Sequence, residues 1–177
     1  MLMETSTITP VTPSAVGMRY GLLTGLVSII FSFALFATGL DQSPLRWLGL
    51  LMVIGGMVLA QRYFKQQNGG FMAYSQGLIT GFVLSGVSGI LSTLFTYLYM
   101  TFIDPEYMSR VMDTARAKME AQGKVSDAQI EQATAMMQKF GTGGWLVLFG
   151  MMSALVFGLL IALVVSAIIK NPKPEFE

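Results

Sequence analysis

The side chains that could carry chemistry in this chain are carboxylates, methionine sulfurs and hydroxyls, because the sequence holds no Cys and no His. The absence of Cys and His removes thiolate nucleophiles, the commonest general base and most transition-metal sites. The acids between Asp104 and Glu131 are interleaved with Arg and Lys. That pattern is typical of a solvated helix face and not of a carboxylate pair held for acid–base catalysis. We therefore predict no catalytic site and no enzyme activity.

The 14 methionines allow one metal hypothesis and one structural hypothesis. Met108, Met112 and Met119 share a helix face, and a site built of thioethers alone would suit only Cu(I). Methionine is also the usual filler of irregular packing. We expect packing, and we predict neither a metal nor any other cofactor.

Four long apolar stretches predict the elements that must position these side chains. They indicate membrane-spanning helices at about residues 18–40, 45–62, 77–102 and 145–169, the second continuing through Tyr63 and Lys65. An α-helix needs about 20 apolar residues to cross about 30 Å of hydrocarbon. We predict an all-α integral membrane protein with one membrane domain, residues 1–177, embedded in the lipid bilayer.

The charge content agrees with a membrane protein. Only 12% of the residues are charged, whereas a soluble domain has about 25%. The net charge is +1, which argues against nucleic-acid binding, because that needs a strong basic field. We expect no nucleic acid among the partners.

The segment between the third and fourth spans predicts a helical hairpin outside the membrane, at residues 104–141. Asp104 before Pro105 is typical of a helix start, and Gly123 of a helix end. Ser126 with Gln129 three residues later predicts a capping box for the second helix, which we expect to end before Gly141.

One face of this hairpin is apolar at helical spacing. Three interpretations stay open: packing of the two helices on each other and on the span ends, docking of a partner protein, or contact with the lipid surface. If the face docks a partner, its side chains should be partly exposed in the isolated chain. The residues of this predicted partner face are Met108, Met112, Ile130, Met137 and Phe140.

A second pattern is the stripe of small residues along three of the spans. A spacing of four places each set on one face of its helix, and such faces allow close helix packing in lipid. The stripes serve either packing inside this chain or contact with another subunit, a membrane-protein partner or a second copy. The predicted helix-packing residues are Gly21, Gly25, Gly77, Gly81, Ser85, Gly89, Gly150, Ala154, Gly158 and Ala162.

The first and third spans also begin alike, since Gly21–Val27 resembles Gly77–Val83. Trp47 and Trp145 begin the second and fourth spans. The spans therefore predict two antiparallel hairpins, which could be a tandem repeat with parallel topology.

Hydroxyls are frequent in the first and third spans, for example Thr24, Ser28, Ser88 and Thr96. Such side chains usually bond to carbonyls of their own helix, although they could also line a water-filled path. No Asp, Glu, Lys or Arg lies deep in a span, which argues against active transport. A passive pore stays open.

Basic residues set the expected orientation. Arg62, Lys65, Lys170 and Lys173 lie close to span ends on the side of both termini. The positive-inside rule then predicts cytoplasmic N- and C-termini in the inner membrane of a bacterium.

The segment Lys65–Gly77 is the most distinctive of the chain, and it contains Asn68, Gly69, Gly70, Phe71 and Tyr74. Together with Phe95–Tyr99, Phe102–Pro105 and Met136–Phe140, it resembles a bacterial membrane family of unknown function, domain of unknown function 4199, found mainly in Bacteroidota. The resemblance runs from about residue 20 to residue 170. It implies a four-span inner-membrane protein, and it implies no activity or functional residue.

Two functions therefore stay open. The first is a non-enzymatic accessory, scaffold or assembly subunit of an inner-membrane complex, which would fit the missing catalytic groups and the small-residue stripes. The second is a passive pore or carrier, formed by the chain alone or as a homo-oligomer, which would fit the hydroxyl content of the first and third spans.

Overall fold

The computed structural model describes residues 11–123 and 125–173 and builds them almost entirely from α-helix. Residues 1–10 and 174–177, the two ends of the predicted domain, lie outside this description. The helices are α1 (Pro13–Thr38), α2 (Leu48–Gln67), α3 (Tyr74–Leu98), α4 (Tyr107–Gln122), α5 (Asp127–Phe140) and α6 (Gly143–Ile169). The prediction of an all-helical protein is confirmed.

Four of these helices are long and apolar enough to cross a membrane: α1, α2, α3 and α6. A 3₁₀ turn, Pro44–Trp47, leads into α2, and a π-helical turn, Tyr99–Ile103, extends α3. The chain is therefore a multi-pass membrane protein with a helical bundle, as the apolar stretches predict.

Local sequence accounts for most helix ends. The Thr12 side chain accepts a hydrogen bond from the Ala15 amide, so α1 begins at Pro13, five residues earlier than the apolar pattern indicates. Gly39 ends α1 with φ +67°, a left-handed conformation that favours glycine. Helix α2 continues past Arg62 to Gln67, as predicted.

The two short helices largely match their sequence signals. Gly123 ends α4 with φ +60°, and Ser126 and Gln129 form the predicted capping box at the start of α5. The predicted helix start at Asp104 is wrong, because α4 begins at Tyr107. Asp104 follows the π turn directly, and its carboxylate pairs with Arg110 instead of capping a helix.

Helix α3 lies at the centre of the bundle and packs on α1, α2 and α6. Helix α2 also touches α1 and α6, while α4 packs on α5, and α5 reaches α6. The buried hydrophobic core lies toward the end of the bundle where α2 and α6 end. Its members are Val16, Met57, Ala60, Phe64, Met72, Leu84, Ala162 and Val165.

Candidate functional site

The small-residue stripe of α1 lies against α3. A methyl group added at Gly21 would lie 2.9 Å from the Leu84 carbonyl oxygen, and one at Gly25 would lie 2.7 Å from Leu91 Cδ1. Real Cβ atoms do not approach other atoms this closely. The α1 glycines therefore allow the backbones of α1 and α3 to come into contact.

The stripe of α3 faces the stripe of α6, and the two helices run antiparallel. A methyl group at Gly81 would lie 2.6 Å from Ala162 Cβ, and one at Gly89 would lie 2.5 Å from Ala154 Cβ. Similar close contacts continue at both ends of this interface, and together they form a ladder between α3 and α6. Its five rungs are Gly77 with Ser166, Gly81 with Ala162, Ser85 with Gly158, Gly89 with Ala154, and Thr93 with Gly150.

Three hydroxyls of α3 bond to their own helix. Thr80, Ser88 and Thr96 each donate to the carbonyl four residues earlier, all at 2.9 Å. Thr24 of α1 packs against Gly56 of α2, so it also lies at a helix contact. The three α3 hydroxyls are therefore satisfied within their own helix, whereas Ser28 Oγ and Ser85 Oγ are buried with no hydrogen-bond partner among the described residues.

A buried amide joins three spans, and no sequence pattern predicted it. Gln61 is completely buried, and its Nε2 donates to the Gly77 carbonyl at 3.0 Å and to Ser166 Oγ at 2.9 Å. Helices α2, α3 and α6 are therefore tied at one point. The Gln61 Oε1 atom has no hydrogen-bond partner among the described residues.

The distinctive segment between α2 and α3 wraps around the end of α6. The Met72 and Asn171 backbones exchange two hydrogen bonds of 2.9 Å, and the Asn171 side chain donates to the Gly70 carbonyl. Gly69 and Gly70 turn the chain with φ +66° and +86°. Two side chains, Asn68 and Gln76, support this turn.

Aromatic rings and basic groups surround this turn. Tyr74 donates to the Leu163 carbonyl at 3.4 Å, and Lys170 lies over its ring. Lys173 lies over the Phe71 ring at 5.8 Å. Aromatic and basic side chains of this kind are typical of the membrane–water interface.

The opposite end of the bundle holds a polar cluster at the base of α4. Tyr107 donates to the Asp41 carboxylate at 2.7 Å, and Arg110 pairs with Asp104. Burial of the phenol and the hydrogen bond to Asp41 raise the pKa of Tyr107 well above its usual value. The cluster joins the α1–α2 connection to the hairpin.

The five residues of the predicted partner face have different environments. Ile130 is buried, 2% exposed, which removes it from any surface. Met108 lies against Gly141, and the Phe140 ring packs edge-on against Phe149 of α6. These two residues and the remaining two, Met112 and Met137, are all partly exposed, as predicted for a partner face.

The contacts described at these places are hydrogen bonds, an ion pair and packing contacts. Within the described residues, no three His, Cys, Asp or Glu side chains lie close enough to hold a metal ion. The arrangement can therefore bind and orient helices, and its polar groups at the two membrane edges can contact water, headgroups or another protein.

Comparison with known proteins identifies a family but no characterised relative. A model described as "Protein of unknown function (DUF4199)" matches residues 19–171. This match confirms the resemblance carried by Lys65–Gly77 and the other motifs. No curated protein and no solved structure matches the chain.

Proposed function

We propose that this chain, which belongs to the DUF4199 family of proteins of unknown function, is a non-enzymatic accessory subunit that assembles with another inner-membrane protein. Helices α1, α2, α3 and α6 cross the membrane, and the α4–α5 hairpin lies outside it. The hairpin is the part that meets the partner.

The observation that carries this proposal is the incomplete cover of the hairpin's apolar face. Helices α4 and α5 pack on each other, yet Met108, Met112 and Met137 stay partly exposed. Methionine side chains adapt to irregular surfaces and suit contact with a second protein. Gly143, with φ +59°, links the hairpin to α6.

The packing of the bundle supports an accessory role over a pore in the single chain. Helix α3 fills the centre, and its ladder with α6 leaves no room for an added methyl group at Gly81 or Gly89. Three hydroxyls that could line a water path, those of Thr80, Ser88 and Thr96, bond to their own helix instead. A passive pore would need an oligomer, with its path between subunits.

The orientation in this proposal places the α2–α3 turn and both termini in the cytoplasm. Arg62, Lys65, Lys170 and Lys173 lie at that edge, which agrees with the positive-inside rule. A reporter enzyme that works only in the cytoplasm should be active when it is fused after Lys173. Activity of a periplasmic reporter at the same site would contradict the orientation.

The assembly proposal is tested by purification from native membranes in a mild detergent. The wild-type chain should carry a membrane protein at a fixed ratio, as mass spectrometry would measure. Replacing Met112 and Met137 by Ser should remove that protein, whereas Met136→Ser, on the exposed side of the same hairpin, should retain it. A wild-type chain that purifies alone, and conducts solute in liposomes, would instead support the pore.

A further inference from the structure

An apolar groove runs between α2 and α6 on the outer surface of the bundle. The two helices run in the same direction, and the groove has a volume of about 520 Å³. One wall is the stripe Ile54, Val58 and Arg62 of α2, and the other includes Val164 and Ile168 of α6. Among the described residues, Arg62 is the only charged one that lines it.

The groove has the dimensions of a lipid site. Ile54 and Arg62 are eight residues apart, which corresponds to about 12 Å along a helix. One leaflet of the hydrocarbon core is about 15 Å thick, so a chain that starts at Arg62 would reach close to the midplane. The volume also lies in the usual range of ligand pockets, roughly 300–1,000 Å³.

The charge at the end of the groove selects an anionic occupant. Arg62 lies near the end of α2, and the Lys65 ammonium lies at the same end, where it donates to the Ile169 carbonyl at 3.1 Å. The acidic residues of the described chain all lie toward the other edge, at Asp41 and between Asp104 and Glu131. No carboxylate of the described residues therefore competes for Arg62.

We propose that this groove binds one anionic phospholipid, with an acyl chain between Val58 and Val164 and the headgroup phosphate at Arg62. Basic residues beside an apolar cleft between membrane helices are suited to anionic headgroups. Arginine is also well suited to a phosphate, because its guanidinium can donate two parallel hydrogen bonds. This site is independent of the proposed partner at the hairpin.

A second copy of the chain fits the groove less well. A two-fold axis along the membrane normal would bring the two Arg62 side chains to the same depth at the interface. Like charges at such an interface repel each other, and the acidic residues of the described chain lie too far away, at the other edge, to neutralise the two Arg62 charges. A single anionic amphiphile satisfies both the apolar walls and the charge.

Native mass spectrometry of the full chain tests the proposal. The protein in detergent is given equal amounts of phosphatidylglycerol and phosphatidylcholine, and the retained lipid is measured. Wild type should retain phosphatidylglycerol about fivefold over phosphatidylcholine, the ratio that corresponds to about 1 kcal/mol per basic residue. Arg62→Gln should reduce this preference to near unity.

Two further variants separate the charge from the groove. Arg46→Gln removes a basic residue that lies over Trp47 at the opposite edge, so it should keep the wild-type preference. Val164→Trp fills the groove from a side chain that is 60% exposed, so it should lower the retained phosphatidylglycerol without changing the far-UV spectrum. The proposal fails if Arg62→Gln keeps the preference or Val164→Trp keeps the lipid. It also fails if wild type is a dimer that Val164→Trp dissociates.

Discussion

Replacing Gly81 by Ala should weaken the contact between α3 and α6. The added methyl group would lie 2.6 Å from Ala162 Cβ and 3.0 Å from Met57 Sδ, and both neighbours are completely buried. Carbon atoms attract best at about 3.5–4.0 Å. The two helices would therefore have to separate by about 1 Å, and the rungs above and below Gly81 would lose contact as well.

The expected magnitude follows from a matched control on the same helix. Overpacking of this kind costs about 1–3 kcal/mol, while a change from Gly to Ala favours a helix by up to about 1 kcal/mol. A methyl group at Gly86 would lie 3.5 Å from Leu155 Cδ2, an ordinary contact. Gly86→Ala has the same helix gain, so Gly81→Ala should be less stable than Gly86→Ala by about 1–3 kcal/mol.

The measurement is unfolding by SDS from a mild detergent, followed by far-UV circular dichroism. A double variant, Gly81→Ala with Ala162→Gly, transfers the methyl group from α6 to α3 and should recover most of the loss. The change in unfolding free energy of the double variant should therefore differ from the sum of the two single changes by more than about 1 kcal/mol. Equal stability of Gly81→Ala and Gly86→Ala, or simple additivity with Ala162→Gly, would refute the assigned contact.

Three other changes have expected outcomes. Gln61→Leu removes the buried hydrogen bonds and should cost about 1 kcal/mol in the same unfolding assay, whereas Gln66→Leu, on the exposed side of α2, should have no measurable effect. Tyr107→Phe should cost about 1.5 kcal/mol at pH 8. The folded-state pKa of Tyr107 is raised, so the stability contributed by its hydroxyl is complete below the unfolded pKa of about 10 and falls as the pH rises above that value. The free energies of unfolding of wild type and Tyr107→Phe should therefore converge between about pH 10 and 12. Gly70→Ala, with open space around the added methyl group but φ +86°, should cost about 1–2 kcal/mol through the backbone alone, and unchanged stability would contradict the turn geometry.

The four long helices could be predicted from this sequence because a helix that crosses lipid must be long and almost entirely apolar. The four apolar stretches all became helices, and the caps at Gly123 and Ser126 follow from local side-chain chemistry. The start of α4 could not be predicted in the same way. Asp104 has a capping side chain, but it directly follows the π turn, and its carboxylate pairs with Arg110, six residues later.

The contacts of the stripes depend on information that spacing does not contain. Spacing places Gly21 and Gly25 on one face of α1 and Gly77 and Gly81 on one face of α3, yet it does not say which helix each face meets. In the structure the α1 face meets α3, and the α3 face meets α6. The similar segments thus have different neighbours, and the tandem repeat stays a prediction.

Gln61 shows why a buried polar site is hard to recognise in a single sequence. It lies next to Arg62 near the end of an apolar stretch, where a polar residue normally indicates the edge of the membrane. Only the arrival of Gly77 and Ser166 from two other helices provides its hydrogen-bond partners. Those neighbours are 16 and 105 residues away in the chain, so no local pattern could reveal them.

The two ends of the bundle differ in how their helices are held together. At one end the Gln61 hydrogen bonds, the Met72–Asn171 backbone pair and most of the buried core fix α2, α3 and α6 together. At the other end the hairpin of α4 and α5 is held by Tyr107 at its base and by Phe140 against α6. Regions with few buried contacts open at lower free energy than the core. A partner could therefore repack the partly exposed methionines Met112 and Met137 while the fixed end stays intact, which supports the proposed role of the hairpin in assembly and of the bundle in anchoring.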